Sequence, residues 1–123
     1  MKIQEIQTYL RKKRIAALVL IHKENKPEPL VFYFTQIKTE NSCLVITPND
    51  YTVYLFGFEH DKHQHLPFVR KTKNLWKELR KIKGKIGINE KVFSVYEQQQ
   101  LKKETIAVNH VLQKLREQKT KEE

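Results

Sequence analysis

Cysteine is nearly missing from this chain, and with it any internal cross-link. Cys43 is the single thiol among 123 residues, so no intrachain disulfide can form, nothing calls for an oxidising compartment, and a cytoplasmic location is expected. Glycine is scarce too: Gly57, Gly84 and Gly87 are scattered and form no phosphate-cradling loop. The longest apolar run, residues 15–21, falls about a dozen residues short of a bilayer-crossing helix. The acid-containing polar stretch before it is no signal-peptide start, and no membrane partner is expected. Acids are outnumbered, 14 against 24 Lys and Arg, which leaves a net charge of +10. Such a field suits a negative partner, whether nucleic acid, anionic surface or acidic protein, without choosing among them.

What is present suits one domain. A chain of this length buries roughly two-thirds of its unfolded surface. Apolar residues at 39% and charged residues at 31% depart only slightly from the globular norms of about 45–50% and about 25%. No repeat or low-complexity tract interrupts it.

Ile3, Ile6, Tyr9 and Leu10 recur at helical spacing and predict an amphipathic first helix. The following "IAALVLI" is apolar throughout, as in a strand covered on both faces. "HKENKPEPL" predicts a loop around Pro27 and Pro29, and "VFYFTQI" is an aromatic segment of open type. "SCLVITP" and "YTVYLFGF" predict two strands of a hairpin turned by "PND", with Val53, Leu55 and Gly57 on one face and Tyr54, Phe56 and Phe58 on the other. "HDKHQH" reads as a polar link into "LPFVRK", an edge strand with Pro67 at its start. Leu75, Trp76, Leu79 and Ile82 stripe a second helix closed by Gly84, and "KIGINE" is a short strand. Ser94 and Glu97 have capping-box spacing ahead of a third helix over Val95, Tyr96 and Leu101. Val108, Val111, Leu112 and Leu115 stripe a fourth. Together these predict an α/β domain, three-layer-like, with a mixed sheet of about five strands flanked by helices.

The residues that could carry chemistry are few. Glu59, His60, Asp61, His63 and His65 in "EHDKHQH" are the one cluster of metal-ligand types. In an extended segment His63 and His65 would share a side, but no Cys pair, His-Glu-x-x-His helix or second cluster closes a site, and a solvated loop is the simpler reading. Cys43 sits in a strand expected to be buried, where a thiol serves packing. His22 and His110 lack a Ser or carboxylate at a telling spacing. Eight Lys or Arg and one acid lie between Arg70 and Lys85, which could track a phosphate backbone. Lys73, Lys77, Arg80, Lys81 and Lys83 also simply fill the non-core positions of the second helix. Without interleaved exposed aromatics the reading disfavours nucleic acid.

The closing "LREQKTKEE" places Thr120 three residues before Glu123, a spacing that opens helices. The order of a Lys-rich helix, "AALVLI", a loop with Asn25 leading to "FYFT", the hairpin "CLVITPNDYTVYLF", "KIGINE" and that ending resembles the amino-terminal domain of the creatinase, prolidase and aminopeptidase P family. Members carry an aromatic Tyr-Leu-Thr-Gly-Phe segment; "VFYFTQI" keeps the aromatics and Thr35 but has Gln36 where the Gly would be. Their interdomain helix runs Leu-Arg, two residues, Lys, Ser or Thr, two residues, Glu, which Leu115, Arg116, Lys119, Thr120 and Glu123 match in order.

The resemblance implies a ribonuclease H-like motif, a domain over residues 1–115, and in 116–123 the start of a linker helix to a catalytic domain that these residues do not include. It implies a parent enzyme, a prolidase-like Xaa-Pro aminopeptidase or dipeptidase, that cleaves peptides with proline second. Two divalent ions (manganese, cobalt or zinc) would sit there on Asp, Asp, His, Glu and Glu, none of which corresponds to a position here. It also implies a homodimer or higher homo-oligomer in which this domain aids subunit association and substrate access, with His60, Asp61, His63 and His65 as a loop at a subunit interface or pocket wall. The alternative is a free-standing basic binding module for an acidic protein or nucleic acid.

Overall fold

Strand β1, Ala17–His22, is the centre of the molecule, because five of its six residues are apolar and can be covered on both sides. The computed structural model describes residues 3–122, with the side chains of 115, 116 and 118–122 outside that description. Helix α1 (Ile3–Lys13) precedes β1; α2 (Pro29–Thr35), β2 (Ser42–Ile46), β3 (Tyr51–Leu55), α3 (Gly57–His63) and β4 (Val69–Lys71) follow. Then come α4 (Leu75–Arg80), β5 (Ile86–Ile88), α5 (Val95–Leu101), β6 (Thr105–Ala107) and α6 (Asn109–Glu122).

The sheet order is β4-β3-β2-β1-β5-β6. β2 lies antiparallel to β1 and to β3, while β1, β5 and β6 are mutually parallel and β4 is parallel to β3. All strands except β2 therefore point one way. Alternation along β1 feeds two cores: Leu18 and Leu20 pack with Ile6, Leu10, Leu30 and Leu112, and Ala17, Val19 and Ile21 with Leu75, Leu79, Phe93 and Leu101. Helices cover both faces, which is the three-layer arrangement.

Several local expectations are corrected, while the mixed sheet flanked by helices is as expected. The open aromatic segment is helical: Pro29 starts α2 instead of ending a loop, the Glu28 side chain accepts from Leu30 N, and Gln36 closes the helix with φ 61. Proline suits a first helical turn because its missing N–H would be unpaired there anyway. Glycine, which the resemblance implies at that position, would adopt this left-handed angle without strain.

β3 stops at Leu55, because β2 begins at Ser42 and offers no partner beyond it. Gly57 to His63 then turn into α3, so "EHDKHQH" is not an extended link. α4 ends at Arg80 with Lys81 as its cap, short of Gly84. Finally, "TIA" is a sixth strand on the edge of β5. Thr120 lies inside α6, so its spacing to Glu123 does not open a new helix, and its side chain is outside the description.

Candidate functional site

Because five strands point the same way, their carboxyl ends share one edge of the sheet, and open α/β sheets bind ligands there, where the chain reverses its direction of strand addition. That reversal occurs at β1: the chain adds β2, β3 and β4 on one side and β5 and β6 on the other. A cleft of about 500 Å³ opens at this point. Ile21 and His22 enter it from the end of β1, Asn41 and Ser42 from the start of β2, and Phe56 from the end of β3. Leu75 and Trp76 of α4, with Tyr96 and Glu97 of α5, form the opposite side.

A polar frame holds these walls. Glu28 N donates to His22 Nδ1 at 3.0 Å, which leaves the neutral ring's proton on Nε2. Glu28 is buried, and its carboxylate accepts from Leu30 N at 3.3 Å and from Asn89 Nδ2 at 2.8 Å. The frame thus ties the loop after β1 to the loop after β5. Lys23 Nζ lies 3.0 Å from the buried Glu97 Oε2. Glu97 Oε1 accepts from Ser94 N at 2.9 Å, and Glu97 N donates to Ser94 Oγ at 3.1 Å. The capping box expected from the sequence is therefore made, and it also anchors Lys23. Glu59 accepts from Glu40 N at 3.0 Å and Asn41 N at 3.4 Å, fastening α3 to the loop before β2.

Of the predicted cluster only Glu59 reaches the cleft. His60 Nδ1 meets Asp61 Oδ1 at 3.3 Å; His63 ends α3 and His65 follows in the turn. Among the described residues no three His, Cys, Asp or Glu side chains group closely enough to hold a metal ion. Nor is any helix of the described residues long and apolar enough to cross a membrane. Cys43 is fully buried under the cleft side of the sheet, and burial, then Glu97, push its thiol far above its ordinary range. Burial, then Glu78, likewise raise the Tyr54 phenol.

His22, Lys23, Trp76 and Tyr96 are the functional candidates that sequence reasoning passed over. His22 follows directly on the buried strand, and a polar residue at such a strand end was the available signal.

The Creatinase/Prolidase N-terminal domain profile matches residues 2–118. No curated protein matches the chain in sequence. Among solved structures, X-Pro aminopeptidase from Thermotoga maritima MSB8 superposes with a TM-score of 0.79 at 17% identity, over 94% of this chain and 35% of that one. The prolidase from Pyrococcus horikoshii OT3 gives 0.75 at 22%, over 93% and 34%. The N-terminal domain of an X-Pro dipeptidase from Streptococcus pyogenes gives 0.71 at 14%, over 90% and 95%. At these identities the likeness establishes the fold, and the chain spans about a third of the first two proteins.

Proposed function

Because the chain belongs to the Creatinase/Prolidase N-terminal domain family, we propose that it serves as the non-catalytic domain of a metal-dependent Xaa-Pro aminopeptidase or dipeptidase. The family match over residues 2–118 is the observation that carries this reading. In it, residues 1–115 are the domain and 116–123 belong to the connecting helix, consistent with α6 running through Glu122. The catalytic domain would supply the two divalent ions, manganese, cobalt or zinc, and the proline-specific chemistry. This domain would contribute to association of like subunits and to substrate access in a cytoplasmic enzyme.

Helix α3 supports an interface role for His60, Asp61, His63 and His65. It buries none of its seven residues, and its Phe58 is 72% exposed. A helix that covers no core of its own and shows an aromatic ring to water has the makings of a contact surface.

The genomic reading frame beyond Glu123 tests the proposal. A continuing frame with spaced Asp, Asp, His, Glu and Glu supports it, and a stop codon favours the free-standing module. The purified 123-residue chain should hydrolyse no Xaa-Pro peptide with manganese, cobalt or zinc added. Metal-dependent turnover by that chain would overturn the assignment.

A further inference from the structure

We propose that the cleft beside β1 binds a carboxylate carried on an aromatic or branched apolar body, independently of whether a second domain follows. Its volume of about 500 Å³ falls within the roughly 300–1,000 Å³ typical of ligand sites. Ile21, Leu75 and Trp76 give it apolar walls, and Phe56 and Tyr96, 38% and 65% exposed, stand at its rim. Large apolar surface left in water at the mouth of a cleft is what a bound ring would cover.

The polar lining selects the other half of the ligand. Both cleft carboxylates are already engaged, Glu97 by Ser94 N and Lys23, and Glu59 by Glu40 N and Asn41 N. Two donors in the lining keep capacity to spare. His22 carries its proton on Nε2 because Nδ1 accepts from Glu28 N, and Nε2 has no hydrogen bond to the described residues. Lys23 gives one of its three N–H groups to Glu97. Each carboxylate oxygen already has a partner, whereas His22 Nε2 and two N–H groups of Lys23 have none among the described residues, so a ligand that brings acceptors completes these donors. The net charge of +10 favours an anionic ligand. Such a group could be a free organic acid or chain end, or an acidic side chain within a peptide.

Titration of the ¹⁵N-labelled 123-residue chain with N-acetyl-phenylalanine, read by amide chemical shifts, tests the site. N-acetyl-phenylalaninamide and phenethylamine present the same ring without the anion, and acetyl-Phe-Asp-amide moves the carboxylate into a blocked peptide. Saturable shifts at His22, Lys23, Trp76 and Tyr96 are expected with the carboxylates, and none with the amide or amine at roughly tenfold higher concentration. Tighter binding of N-acetyl-phenylalanine assigns the site to free acids or chain ends; tighter binding of the dipeptide assigns it to internal acidic segments. Lys23→Met should weaken binding about tenfold. Tyr96→Ala, at an exposed position that leaves the core intact, should weaken it about fivefold. Phe58→Ala, outside the cleft, should change nothing. Equal binding of acid and amide, shifts confined elsewhere, or no saturation by either carboxylate up to about 10 mM would overturn the proposal.

Discussion

Lys23 and Glu97 meet at 3.0 Å across the cleft, one from the turn after β1 and the other from the first turn of α5. Their exposures differ, 33% for the lysine side chain and 6% for the glutamate, and so do their duties. Glu97 closes the capping box as well as the ion pair, whereas the Lys23 side chain makes only the pair among the described residues.

Glu97→Ala should therefore cost more than Lys23→Met. Loss of the carboxylate frees Ser94 N and leaves the lysine without its partner, a cost of about 1–3 kcal/mol. The lysine change removes a partly solvated contact of about 0–1 kcal/mol. Urea melts of the two variants check the order, and equal losses would contradict it.

Glu28 and Asn89 are coupled in the same way at greater depth. Glu28→Gln should destabilise by about 1–3 kcal/mol, since an amide nitrogen placed opposite Asn89 Nδ2 or Leu30 N offers a donor to a donor. Glu28→Gln combined with Asn89→Ala should cost less than the sum of the two single changes. Additivity in this double-mutant cycle would show that the 2.8 Å contact carries no coupling.

Alkaline pH should weaken the fold through Cys43. Its thiol is raised well above the ordinary 9.0, so above pH 9 the unfolded chain releases a proton that the folded chain keeps. Stability then falls as pH rises, at a limiting slope of about 1.4 kcal/mol per pH unit. Tyr54, raised from 10.0, adds to the fall at higher pH. Cys43→Ala should flatten the slope between pH 9 and about 10.5, and the native thiol should resist alkylation at pH 8 until denaturant is added.

Gly84→Ala should be more damaging than Gly57→Ala. Both glycines have positive φ, +115 and +48, but a Cβ on Gly84 would stand 2.9 Å from Ala16 Cβ, while one on Gly57 meets nothing within 4 Å. Gly57→Ala should cost about 1–2 kcal/mol for the left-handed angle alone, and Gly84→Ala should exceed it. Denaturation midpoints compare the two directly.

Much of the fold is legible in the chain because its signals are local. An unbroken apolar run announces β1, Asn and Asp after Pro48 announce the hairpin turn, and Ser94 with Glu97 announces α5. α3 was missed because the decision to leave the strand comes from β2, whose first residue, Ser42, leaves β3 without a neighbour past Leu55. β6 was missed for the converse reason. Three residues with no buried member become a strand because Ile86 N donates to Glu104 O and Val108 N to Ile88 O, both at 3.0 Å. The cleft was illegible residue by residue: His22 looks solitary until Glu28 N is seen on its Nδ1.

Composition and periodicity decide which residues of this protein leave water and where most helices and strands begin, since burial and capping act over a few neighbouring residues. Folding in three dimensions decides which polar groups meet. Glu28 and Asn89 are 61 positions apart, and they touch because the order of strands sets the end of β1 beside the end of β5. Hydrogen bonds and ion pairs act over a few ångströms of space, and that closeness belongs to the packed sheet.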